Sequence, residues 1–436
     1  MPPTFSPNDA LLEKRIADSA LTQLRLRAMY PRVAMTDYED RAFNFGDVVT
    51  FRRAKRRRAQ ELDPRTGTLS FAEAEFASGE LKLEKLFGDP IISYGHDSRQ
   101  TMEKYMIETG EMIADAIATP NDEYMYSNFR TWNIASSGVV KLAAHPPIAI
   151  SACVDFATGQ LAKFNSNGLT GADTFLSQEN VPGSNRFCVM SSSAKGAFLG
   201  DAVVVTGFAA ASIGSGQLIQ RGLQVGEFVE RYGFMAAGSN VVGGQSAVAD
   251  LDTAASAQAT LPIGSIAANT DFQYADHTTL TYLGAVNFTL TVGTALQNVA
   301  VGQIARIGTS SRATAFGVVL RVASNVVTLV PYSPEGIKLL PGDITPGTDV
   351  FSIPRIPSIN TVNHREALAM ATRMVRQPSP GSGAVAATVT DPDTNLTIQV
   401  FTGNFDVGNL TEKRAAYMLT GSKVTDFRKC GFILSL

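Results

Sequence analysis

Six basic side chains crowd one short stretch of a chain whose formal net charge is only −3: Arg52, Arg53, Lys55, Arg56, Arg57 and Arg58, in "FRRAKRRRAQ" (51–60). Guanidinium groups carry planar forks of donors that match carboxylates and phosphates, so the run suits acidic side chains of another chain or the backbone of a nucleic acid. Charges packed this closely repel one another and ask for counter-charge. Acids follow nearby at Glu61, Asp63, Glu73, Glu75, Glu80 and Glu84. They are spread along the sequence rather than converged as an acid/base pair, which favours ionic pairing over catalysis.

Other reactive residues are thinly scattered. The four histidines, His96, His145, His277 and His364, show no HExxH or other metal-ligand spacing. His364 reads as a structural residue in the first turn of a helix, and His145, before Pro146-Pro147, as part of a loop. There is no GxxxxGK(S/T) loop, and "GSGQLIQRG" (214–222) lacks the third glycine of the dinucleotide fingerprint. Ser192 and Lys195 form an SxxK pair, the nucleophile arrangement of penicillin-recognising enzymes, without the SDN and KTG companions that chemistry needs. Cys153, Cys188 and Cys430 lie far apart with no CxxC spacing, which speaks for reduced thiols and cytosolic synthesis rather than a disulfide framework or zinc knuckle. The residues therefore predict no enzyme, no cofactor and no metal site.

Composition narrows the classes further. At 436 residues, with 44% apolar and 18% charged side chains, the chain is a folded protein large enough for several substructures. So low a charge fraction implies surface covered by partners. The overall charge gives no general attraction to nucleic acid or anionic lipid, and only 52–58 supplies a local one. The N-terminal "MPPTFSPNDALLEKRIADS" has charges where a signal peptide is apolar. The most apolar long window, "GAFLGDAVVVTGFAAASIG", contains Asp201 and several glycines and reads as buried core, so no membrane partner is expected.

The elements that must position these residues follow from periodicity. Ser6 and Pro7 open a helix over 6–29 with Ile16, Ala20, Leu21 and Leu24 on one face, ended by Pro31. A Gly-Asp turn leads into a strand at Val48, Val49, Thr50 and Phe51. The stretch from there to Phe87 reads as a long two-stranded excursion through the turn at 63–67, each arm projecting about 55 Å. An isolated hairpin is marginal in water, so an arm of this kind needs another surface to lie on. The spacing predicts a helix over 97–119 with Met102, Met106, Thr109, Ile113 and Ile117 in one stripe, interrupted by Gly110 and stopped by Pro120. Short apolar runs and turns over 145–236 suit a compact α/β or α+β region, with a helix and then a strand in "GQLIQRGLQVGEFVERYGF". The Ala/Gly/Ser-rich stretch after it reads as a flexible boundary. Residues 278–353 read as short strands of a small barrel or sandwich with a hairpin turn at Ser324-Asn325, and a helix returns over 361–378 with Asn363 and Glu366 in capping-box spacing.

This order of elements resembles the major capsid (coat) proteins of tailed bacteriophages, which have the Hong Kong 97 capsid fold, and within them the short-tailed-phage type with an extra β-barrel. The resemblance is carried by "DYEDRAFNFGDVVTFRR" (37–53), the arm and helix to about 119, "VGEFVERYGFMAAGSN" (225–240) and "TVNHREALAMATRMVRQP" (361–378), where His364 and Ala367 take the places of the family's apolar-x-His-x-x-Ala helix start. Ala54 stands where a proline often follows Arg-Arg, and "YMLTGSKVTDFRKCGF" lacks the usual Arg-Pro-Glu. The resemblance implies an α+β chain with an N-terminal arm (1–45), an E-loop with flanking strands (46–95), a P-domain with a long spine helix (96–145), a first part of an A-domain (146–239), an inserted β-barrel domain (240–355) and a return segment completing the A- and P-domains (356–436). It further implies a virion protein, assembled in the host cytoplasm as hexamers and pentamers into an icosahedral shell around double-stranded DNA. Its partners would be itself, a scaffolding protein, a portal protein at one vertex, a decoration or cement protein and the packaged DNA. In that setting Arg52, Arg53, Lys55, Arg56, Arg57 and Arg58 are inter-subunit contacts at the base of the E-loop, with the six acids as counter-charges. The alternatives are a nucleic-acid-binding module using 52–58 and a hydrolase using Ser192 and Lys195.

Overall fold

The structure, a computed structural model, describes residues 7–36, 46–54, 76–94, 102–130, 139–140, 147–155, 160–200, 229–231, 233–253, 258–274, 284–309, 312–375, 385–391, 394–403 and 411–436. In chain order, α1 (Pro7–Arg27) and α2 (Tyr30–Val33) precede β1 (Val48–Ala54), β2 (Phe76–Lys82), β3 (Lys85–Tyr94) and α3 (Met102–Arg130). Then come β4 (Val139–Val140), β5 (Ala149–Ala152), α4 (Ser166–Gln178), β6 (Arg186–Ser191), α5 (Ser192–Leu199), β7 (Val229–Arg231) and β8 (Phe234–Ser239). β9 (Thr260–Ala268), β10 (Gln273–Tyr274), β11 (Val286–Leu290), β12 (Ile304–Gly308), β13 (Ala313–Ala323), β14 (Val326–Leu329) and β15 (Val350–Ser352) follow. Last are β16 (Ser358–His364), β17 (Leu368–Arg373), β18 (Val385–Thr390), β19 (Thr397–Thr402), β20 (Thr411–Val424) and β21 (Cys430–Ser435). The class is α+β, and the chain divides into two units: Met1–Thr50, Glu80–Asn128 and Leu368–Lys423 form one, Phe51–Gly79, Phe129–Ala367 and Val424–Leu436 the other.

The first unit sets two helices on a sheet. The expected face of α1 is buried at Ile16, Ala20, Leu21 and Leu24, and the expected stripe of α3 at Met106, Thr109, Ile113 and Ile117. Gly110, a costly residue in mid-helix, is explained by close approach: a Cβ there would stand 2.6 Å from Ser19 Oγ and 2.9 Å from the Ala20 nitrogen. The sheet runs β17-β20-β19-β18, with β3 also paired antiparallel to β20 from Thr411↔Tyr94 to Thr420↔Lys85. α1 packs on β18 and β19. Under it lies a buried ion pair, Arg414 Nε to Glu13 Oε1 at 3.0 Å, and Arg414 also donates to the Tyr105 hydroxyl at 2.9 Å.

Two helix expectations fail in instructive ways. Pro120 does not stop the helix, for α3 continues to Arg130. A proline deletes one backbone bond and crowds the preceding turn, but the next turns bury Asn121, Asp122 and Met125, and Asp122 accepts from the Met29 and Tyr30 nitrogens at 2.9 and 3.2 Å. Tertiary contacts outweigh the local penalty. The helix expected over 361–378 is instead the end of β16, a short 3-10 turn (Arg365–Ala367) and β17. Every residue of β16 and all but the last of β17 are buried, so neither strand shows the apolar-polar alternation of a half-exposed strand, and its apolar residues fit a helical stripe equally well. His364 accordingly lies in a strand, opposite Arg186, with its Nδ1 accepting from the Glu366 nitrogen at 3.3 Å.

The second unit holds a six-stranded sheet, β5-β21-β16-β6-β8-β7, and a closed barrel, β11-β14-β13-β12-β15-β9. The barrel core gathers Ile263, Phe288, Ile307, Leu329 and Phe351. Its hairpin turn falls at Ser324-Asn325 as the sequence indicates, with Ser324 at φ 55°. The segment expected to be a flexible boundary is tied down where it is described. Gln245 and Ile356 exchange backbone bonds of 2.7 and 2.9 Å, while the Gln245 carboxamide donates to the Ile304 carbonyl and accepts from the Ile304 nitrogen at 2.9 and 2.8 Å. The helix expected before Glu227 lies outside the described residues, and the strand after it is β7 and β8. No helix among the described residues is long and apolar enough to cross a membrane.

Candidate functional site

The basic run enters the structure at its edge. Arg52 and Arg53 lie in β1, which pairs with β2 as a two-stranded sheet. At the foot of that pair the Gly46 nitrogen donates to the Leu83 carbonyl at 2.7 Å, and the Leu83 nitrogen to the Asp47 carbonyl at 3.2 Å. Lys55, Arg56, Arg57 and Arg58 lie outside the described residues, as do Glu61, Asp63, Glu73 and Glu75. Glu80 and Glu84 are exposed. Glu84 accepts from the Tyr124 hydroxyl at 3.2 Å.

That tyrosine positions the neighbouring strand. Its hydroxyl accepts from the Ser422 nitrogen at 3.3 Å, its ring meets Phe87 edge-on at 6.3 Å, and Lys85 Nζ stands 5.7 Å from its centroid. Tyr124 thus joins α3, β3 and β20. Burial pushes its hydroxyl above the ordinary range, and the Glu84 charge adds to the shift, so it remains a neutral donor.

The strand so held carries an open apolar surface. Residues opposite one another in an antiparallel pair share a face, so the register sets Leu86, Gly88, Pro90 and Ile92 beside Leu419, Tyr417, Ala415 and Lys413. A Cβ on Gly88 would come within 2.8 Å of the Tyr417 ring, which therefore lies across the glycine. Phe401 of β19 packs edge-on to Tyr417 at 5.4 Å and 72°. The result is an open apolar groove of about 620 Å³, walled by Leu86, Pro90, Ile92, Phe401 and Tyr417 and edged by Lys413. Ile92 is 58% exposed. In the same unit Met112 and Ile107 of α3 and Leu26 of α1 are exposed as well, Met112 to 61%. Single apolar residues at a surface are ordinary, whereas a walled apolar groove marks a contact surface.

No side-chain hydrogen bond joins Ser192 to Lys195. The Ser192 hydroxyl donates to Asn240 Oδ1, and the Lys195 stem packs against Gly238, with burial lowering the ammonium's pKa. His96, His145 and His277 lie outside the described residues. Cys153, Cys188 and Cys430 are buried free thiols, with Cys188 and Cys430 pushed well above the ordinary thiol range by burial. Among the described residues no group of acids, histidines and cysteines gathers as a metal site. Sequence reasoning missed the groove entirely. Its only signal was the apolar spacing of Leu86, Pro90 and Ile92 through a strand whose alternate face is also needed inside.

No protein-family model matches the chain, and no curated protein does. Solved structures similar to it include the capsid of cyanophage P-SCSP1u, at 9% identity and a TM-score of 0.44 over 94% of this chain and 88% of that one. The capsid of Ralstonia phage GP4 is similar at 13% identity and a TM-score of 0.41, over 92% and 87% of the two chains. A structure of Mycobacterium phage Che8 is similar at 10% identity and a TM-score of 0.40, over 93% and 91%. At such identities and scores no residue role transfers to this chain.

Proposed function

We propose that this chain is the major capsid protein of a tailed bacteriophage, assembling as hexamers and pentamers into an icosahedral shell that encloses double-stranded DNA. The observation that carries the reading is the open apolar groove on β3, β20 and β19. A sheet face with exposed Leu86 and Ile92 gains from being covered, and a shell supplies such a cover many times over through repeated heterologous contacts. The likeness of residues 37–53 to the coat-protein family supports it. On this reading 46–95 is the E-loop, 96–145 contains the spine helix of the P-domain, the regions 146–239 and 356–436 build the A- and P-domains, and 240–355 is the inserted barrel domain.

The role is structural, with no catalytic step and no cofactor. Scaffolding protein, a portal at one vertex, a decoration or cement protein and non-specifically held DNA are the partners, and the virion is the final location after assembly in the host cytoplasm. The basic side chains of 52–58 act as a clamp on carboxylates of a neighbouring copy. Electron microscopy of the purified chain, alone and with a candidate scaffolding protein, tests the reading. Closed particles of uniform size are expected; monomers under both conditions would overturn it.

A further inference from the structure

We infer that Arg306 and Arg355, in the second unit, form a binding site for a phosphate-class oxyanion. They line one pocket of about 300 Å³ together with Gln160, Leu161, Pro354 and Leu436. Arg306 projects from barrel strand β12 opposite Ser352, and Arg355 follows β15 two residues beyond Ile353. Gln160 and Leu161 belong to the loop fastened by the Val154↔Leu161 bridge, and Leu436 is held by its nitrogen donating to the Ala162 carbonyl at 2.8 Å. Arg306 is held by its strand pairing, and Arg355 precedes Ile356, whose backbone is bonded both ways to Gln245.

Neither guanidinium has a carboxylate partner among the described residues. The three arginines buried in the described structure each meet a carboxylate: Arg186 with Asp173, Arg414 with Glu13 and Arg428 with Asp426. Arg306 is half-buried, and burial lowers its pKa, yet its one bond is from Nη2 to the Thr309 carbonyl at 3.0 Å. Among the described residues neither Arg306 nor Arg355 forms an ion pair with a carboxylate. The adjoining stretches 156–159 and 310–311 contain no acid. Arginine stays protonated at any ordinary pH, so its charge here is a standing demand for an anion. Two guanidinium forks and a carboxamide outnumber the two oxygens of a carboxylate, whereas a phosphate brings oxygens for both forks.

Inorganic phosphate, titrated into the full-length protein by calorimetry at low ionic strength, tests the site. Saturable binding at one site per chain is expected, weakened about tenfold or more by R306Q and by R355Q, in line with the loss of a charge-assisted bond. R312Q, in the neighbouring pocket with Asp155 and Glu335, is expected to bind as the parent does. Circular dichroism identifies any variant that does not fold; should R306Q be one, R355Q, at an exposed position, decides alone. A short single-stranded oligonucleotide supplies the second arm. Displacement of phosphate by the oligonucleotide, with salt-sensitive affinity, assigns the oxyanion to a nucleic-acid backbone; phosphate binding without displacement assigns it to the free ion, and both uphold the site. No saturable phosphate binding, or binding unchanged in the folded variants, would overturn it.

Discussion

Asp122 offers a sharp test of how the first unit is held together. It is 3% exposed, and its two oxygens accept from the successive Met29 and Tyr30 nitrogens at 2.9 and 3.2 Å. Burial pushes its pKa from the ordinary 3.8 up to about 7, against the pull of those two bonds. A carboxyl with a raised folded-state pKa holds its proton more tightly folded than unfolded. Stability is therefore greatest below the unfolded value and falls as pH rises through the interval from 3.8 to about 7. Within that window the slope is about 1.4 kcal/mol per pH unit, and the whole effect reaches about 4 kcal/mol. Asp122→Asn keeps one acceptor and removes the titration. Urea denaturation of the unassembled protein at steps from pH 4.5 to 7.5 measures the difference between parent and variant, and that difference is expected to shift steadily in favour of the variant as pH rises. Parallel curves across the window would show that Asp122 is not the group that titrates.

Gly110→Ala should destabilise the protein by about 1–3 kcal/mol in thermal denaturation, although alanine is the better helix former, because the new Cβ meets Ser19 at close range. Arg414→Met leaves Glu13 buried without its partner and should cost about 3–5 kcal/mol by urea denaturation, most of it recovered in the double variant with Glu13→Gln. Reversing Arg56, Arg57 and Arg58 to Glu should leave circular dichroism unchanged while impairing particle formation; normal particles from that variant would refute the clamp.

Much of this was legible in the sequence where one local rule met no opposition. The apolar face of α1, the stripe of α3, the Ser324-Asn325 turn and the alternating strands of the barrel follow from periodicity and turn chemistry alone. The failures fall where tertiary contacts decide. Pro120 is tolerated because Asp122 and Met125 are anchored beyond it, and β16 and β17 pass for a helix because strands buried on both faces lose their alternation. The clustered charges of 52–58 draw the eye to ionic chemistry. The groove around Ile92, by contrast, is made by strands far apart in the chain, β3 near residue 90 and β20 near 415, and the apolar spacing along β3 alone does not announce it. Gly110 reads as a weakness in sequence and as a helix contact in space.

Sedimentation velocity of the parent and of the double variant Leu86→Asp, Ile92→Asp, each with and without a candidate scaffolding protein, tests the account's core most directly. Burying two aliphatic side chains is worth about 2 kcal/mol apiece at each interface, so charged replacements in the groove should leave a folded, slowly sedimenting monomer while the parent forms large, uniform species. Particle formation by the variant at parental concentrations would contradict the assignment of this sheet face to self-association.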